Sequence, residues 1–86
     1  MSTTITHGQQ ADVDFLTETM RWAYWPLCPV KRNGVVATCY DSPEGKRVVY
    51  VGNMLAIIEG VVKPSTLERI EYANSYQMVT DGWEVD

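Results

Sequence analysis

An 86-residue chain with 45% hydrophobic residues can build one small core, so it reads as a single domain over 1–86 that needs most of its large apolar side chains inside. Eleven acidic against seven basic side chains give a net charge of −4, which argues against a protein that grips nucleic acid through phosphates alone. No apolar run approaches the ~20 residues of a membrane-spanning helix, and the opening MSTTITHGQQADVD carries neither part of a signal peptide. The expectation is a soluble, cytoplasmic protein without membrane contact.

The charge is laid out in blocks. Residues 1–20 hold three acids (Asp12, Asp14, Glu18) and no base, and 64–86 hold five acids and one base. Between them lie six bases (Arg21, Lys31, Arg32, Lys46, Arg47 and Lys63) and three acids. Such acidic ends would also permit mimicry of nucleic acid against a basic site.

In chain order, residues 1–9 are polar and read as a flexible N-terminal segment. From Gln10 to Tyr24, Val13, Leu16, Met20, Ala23 and Tyr24 recur at helical spacing, with Asp12 and Asp14 at the positive end of the dipole. Pro26 and Pro29 end that helix. After the turn signal KRNG, VVATCY and VVYV flank DSPEGKR and predict a β-hairpin. GNMLAIIEGVV is dense in β-branched residues and reads as a third strand, although Asn53 at its start also suits a helix cap. From Pro64 a second helix is predicted, with Ser65 and Glu68 spaced as a capping box and Leu67, Ile70 and Ala73 facing inward. The tail from Gln77 continues that helix or turns back around Asp81–Gly82.

The order helix, two- or three-stranded antiparallel sheet, helix gives an α+β domain. A double-stranded-RNA-binding domain shares that order, but its second helix needs lysines for phosphate where this chain has Glu68 and Glu71.

Chemistry-bearing constellations are missing. Cys28 and Cys39 are far from C-x-x-C spacing and read as reduced, partly buried thiols; His7 is the single histidine and lies in the polar N-terminal segment. No third orienting group accompanies them, no carboxylates pair at metal or hydrolytic spacing, and no glycine-rich phosphate loop occurs. The reading is therefore a non-enzyme without cofactor or metal.

The informative stretch is RWAYWPLCPVKR, residues 21–32, where two of three tryptophans meet three bases. On a helical wheel Phe15 and Trp22 fall on a second apolar face, outside the Val13–Leu16–Met20 stripe. Arg69, Tyr72 and Tyr76 likewise share one side of the expected second helix. Tryptophan, tyrosine and arginine dominate interface hot spots, so Phe15, Arg21, Trp22, Trp25, Arg69, Tyr72 and Tyr76 form a candidate surface for a protein partner or a second copy of the chain. The function this supports is a small inhibitor or modulator of a larger intracellular protein, of the kind phages and mobile elements direct at a host. The alternative is nucleic-acid binding by the basic central hairpin, with Lys31, Arg32, Lys46 and Arg47 around Tyr40 and Tyr50.

Overall fold

Thr6 and Gln9 decide where the chain turns helical. In the computed structural model, which describes residues 5–86, the Thr6 hydroxyl accepts from the Gln9 N–H (3.0 Å) and the Gln9 side chain accepts from the Thr6 N–H (2.9 Å). This reciprocal cap starts α1, His7–Thr17. The segment expected to be flexible is thus helical from His7, and its residues 1–4 lie outside the described residues.

α1 stops at Thr17, seven residues before the expected end at Tyr24. Glu18 leaves helical geometry, and a single 3-10 turn, Thr19–Arg21, follows. A wheel extended past Thr17 loses its meaning, and Met20, assigned to the inward stripe, is 98% exposed.

Pro26 and Pro29, expected to end the helix, lie well past its end at Thr17, and they do not prevent a strand. β1 (Leu27–Arg32) runs through Pro29 and pairs with β2 (Val35–Asp41) across an Asn33–Gly34 turn, both of whose residues have positive φ (50° and 78°). Pro29 is tolerated because the Pro26–Asp41 backbone bond puts the pair Pro29–Thr38 at a position where β1 needs no N–H toward β2. After a turn over residues 42–46, β3 (Arg47–Tyr50) completes the expected hairpin with β2.

Two further expectations are overturned. The Asn53 side chain accepts from the N–H groups of Leu55 and Ala56 (2.8 and 3.3 Å), so residues 53–58 are a capped helix, α2 (Met54–Ile58), and the cap outweighs the β-branched composition. Ser65 and Glu68 form no capping box: Pro64–Thr66 is one 3-10 turn without a side-chain cap, and β4 (Arg69–Tyr72) follows. Here Ile70 and Tyr72 alternate with Arg69 and Glu71, a period of two that the longer Leu67–Ile70–Ala73 spacing concealed. The last helix is α3 (Ser75–Thr80), capped by Asn74, and the chain turns through Gly82 into β5 (Glu84–Val85).

The result is an α+β domain whose described residues form five strands rather than two or three, all antiparallel, in the order β4-β3-β2-β1-β5. α1 and α3 pack together over one face, burying Leu16, Met78, Val79 and Trp83 against Cys28, Val30, Ala37, Cys39 and Val49. The opposite face buries Val48, Thr38 and Met54, and there the Thr38 hydroxyl donates to the Gly52 carbonyl (3.0 Å). Gly52 permits a close approach, since a Cβ there would lie 2.6 Å from Leu67 Cδ1. No helix among the described residues is long and apolar enough to cross a membrane.

Candidate functional site

An α-helix leaves its last four carbonyls without helical partners. In α1 the Phe15 carbonyl accepts from the Trp22 indole N–H (2.9 Å), and the Leu16 carbonyl accepts from Arg47 Nη1 (3.3 Å). Arg47 also sits over the Trp22 ring, 5.6 Å from its centroid, and brings a cation to the negative end of the helix. Trp22 is 5% exposed and belongs to the core, with Phe15 half-buried against it. The reasoning that placed Phe15 and Trp22 on an exposed second face fails, because α1 ends at Thr17 and the chain folds Trp22 back over its stump, into the core that also covers Phe15.

Trp25 goes the other way. After the 3-10 turn the chain reverses, with the Leu27 N–H bonded to the Tyr24 carbonyl (2.9 Å), and enters β1; the Trp25–Pro26 peptide is cis. Trp25 is 60% exposed, yet its indole N–H donates to Asp41 Oδ2 (2.8 Å). The other oxygen of Asp41 accepts from Arg47 Nη2 (2.6 Å), so one carboxylate at the end of β2 holds both the buried arginine and the exposed tryptophan.

Beside Trp25 lies a groove in two connected parts. The first, about 530 Å³, runs between Trp25, Pro26, Tyr40 and Pro43; the second, about 400 Å³, continues past Pro26 and Tyr40 to Tyr50, Ile57 and Pro64. Strand register explains the floor, since Leu27 pairs with Tyr40 and Thr38 pairs with Tyr50, which puts Leu27, Tyr40 and Tyr50 on the sheet face opposite the main core. That face is open here because its cover, α2, is five residues long. On the far side of Trp25, Met20 and Thr19 border a further hollow.

The other expected partner-binding residues do not join this surface. Tyr72 is in the core, where its hydroxyl donates to Asp81 and accepts from the Trp83 indole N–H (2.9 Å). Burial first, and then Asp81, push its phenol above the usual tyrosine range. Arg21 is exposed, paired with Glu18 and stacked over Phe15 at 5.0 Å. Arg69 and Tyr76 are exposed, but they stand on β4 and α3 rather than on one helix with Tyr72.

The basic hairpin dissolves into ion pairs. Lys31 faces Asp86 (3.8 Å), Arg32 faces Asp81 (2.9 Å) and covers Trp83, Lys46 faces Glu71 (3.8 Å), and Arg47 is buried on Asp41. Each base of the nucleic-acid alternative thus stands against a carboxylate, and the structure assembles no basic stripe from the four.

Cys28 and Cys39 are free, buried and opposite one another across β1 and β2. Desolvation pushes the Cys28 thiol up to about 11 and the Cys39 thiol up to about 12, so both are protonated at neutral pH.

Sequence reasoning found Trp25 and missed the rest of the groove. Sequence alone offers Tyr40 and Tyr50 only as stacking partners for bases, although hairpin parity puts them on one face. Pro26 reads there as a helix breaker, and Ile57 falls in an expected strand. Comparison with known proteins adds nothing to this geometry: no family model matches the chain, and no characterised protein or solved structure resembles it closely enough to carry an argument.

Proposed function

We propose that this chain is a protein-binding module that modulates a larger partner, and that the groove beside Trp25 is where it binds. The observation that carries the proposal is Trp25 itself: a large aromatic ring, mostly in solvent, fixed by a hydrogen bond to a carboxylate that is already committed to a buried arginine. An anchor held this way loses little side-chain freedom on binding, which is one of the costs of forming an interface. The adjoining prolines and tyrosines supply the apolar, rigid surroundings in which tryptophan hot spots sit. The nucleic-acid alternative draws no comparable support, because each of its four bases stands against a carboxylate.

The experiment compares wild type with Trp25→Ala and Tyr40→Ala as baits in affinity capture, with thermal midpoints measured on each. A partner retained by wild type should bind either variant weaker by about 2 kcal/mol or more, roughly 30-fold, while the fold persists. Equal retention by wild type and both variants would remove the groove from the reading.

A further inference from the structure

β4 closes one end of the sheet, with β3 on its inner side and, among the described residues, no strand on its outer side. The Val51 N–H bonds to the Glu68 carbonyl (3.0 Å), which fixes the alternation of this ladder. Bonded pairs recur at every second position of an antiparallel ladder, so Val49–Ile70 and Arg47–Tyr72 are bonded pairs too. Arg69 and Glu71 therefore turn their backbone N–H and C=O groups outward, a template for another strand.

We infer that the outer edge of β4 pairs with β4 of a second copy of this chain, antiparallel and across a two-fold axis, joining two sheets into one of ten strands. Charge selects the register. Interchain bonds form only between outward-turned residues, so Arg69 can stand opposite Arg69, Glu71 opposite Glu71, or Arg69 opposite Glu71. The first two place like charges face to face, which destabilises a cross-strand pair, whereas the third makes two opposite-charge pairs related by the axis. It also sets Ile70 against Ile70 on the axis and forms four interchain backbone bonds. Arg69 and Glu71 share the face away from the core, both exposed, and already attract each other within one chain at 3.3 Å. Edge strands that avoid pairing are commonly very short or carry charged side chains, proline or a bulge. β4 is four residues long and charged at Arg69 and Glu71, but it has no proline, and its two charges are opposite in sign, so Arg69-Ile70-Glu71 is complementary to itself when reversed. No residue lining the Trp25 groove belongs to β4, although Tyr50 of the groove is the register partner of Arg69, so this interface adjoins the proposed partner site without sharing a residue with it.

The test is a charge exchange read by light scattering and sedimentation. The wild type should run at twice the chain mass. Arg69→Glu and Glu71→Arg each create two like-charge pairs and should run as folded monomers, with unchanged circular dichroism. Mixed in equal amounts, the two variants present Glu-Glu against Arg-Arg and should recover the doubled mass; the double exchange in one chain should recover it too. A wild type that stays monomeric at millimolar concentration overturns the inference. So do single variants that dimerise as wild type does, or a mixture that remains monomeric.

Discussion

Trp22→Ala and Trp25→Ala, two changes three residues apart, should give unlike proteins. Trp22 is almost wholly enclosed, its indole N–H holds the Phe15 carbonyl, and its ring carries Arg47. Truncation removes a large ring from a core that cannot fully collapse and frees a helix-end carbonyl, a loss of about 3–5 kcal/mol. An 86-residue domain has an unfolding entropy of about 180 cal/mol/K, so that loss lowers the midpoint by about 15–30 °C. Trp25→Ala deletes one hydrogen bond at a mostly exposed ring, and Asp41 keeps its bond to Arg47, so the loss should stay near 1 kcal/mol, about 5 °C. Trp22→Phe should fall between them, since it keeps most of the ring and leaves the Phe15 carbonyl without its donor. Differential scanning calorimetry and urea unfolding on the three variants measure this order. Trp22→Ala and Trp25→Ala melting within about 3 °C of each other would refute the division of this stretch into core and surface.

Helix caps give a second check: Asn74→Ala should lower stability by about 0.5–2 kcal/mol because its side chain accepts from the Gln77 N–H, while Ser65→Ala should leave the urea midpoint unchanged. The cysteines give a third. With folded values of about 11 and about 12, at pH 8 only about one Cys28 thiol in a thousand, and fewer of Cys39, is a thiolate. Alkylation of the native protein should be slow, should accelerate as pH rises toward 11 with Cys28 ahead of Cys39, and should reach two adducts at once on unfolding. Rapid stoichiometric labelling at pH 8 would mean that the sheet opens there.

The α+β class, the β2–β3 hairpin and the Asn33–Gly34 turn were legible because each rests on local chemistry: β-branched runs and a turn that demands positive φ. What was not legible rests on competition between local signals. Ser65 and Glu68 are spaced as a capping box, but the residues after them alternate with period two, and β3 offers that alternation a partner. Tertiary pairing then overrides a cap worth about 1 kcal/mol. At residues 53–60 the competition ran the other way. Asn53 caps two N–H groups at once, and a five-residue helix forms although Ile57 and Ile58 are β-branched.

The same competition explains why the aromatic residues were hard to sort. Helical spacing assigned Trp22 to the surface and Met20 to the core, and both assignments depend on a helix that reaches Tyr24. The helix ends at Thr17, and its unsatisfied carbonyls then need donors; Trp22 and Arg47 supply them, so the tryptophan nearest the helix end is drawn inward by polar demand as well as by area. Asp41 follows from that step. Arg47, once buried at the helix terminus, requires a carboxylate, because an unpaired buried cation is strongly destabilising. With one oxygen of Asp41 committed to Arg47, the other is turned outward and captures the Trp25 indole. The exposed anchor of the groove is thus placed by the polar needs of the core, through a chain of contacts from Leu16 to Arg47 to Asp41 to Trp25 that no spacing rule in the sequence encodes.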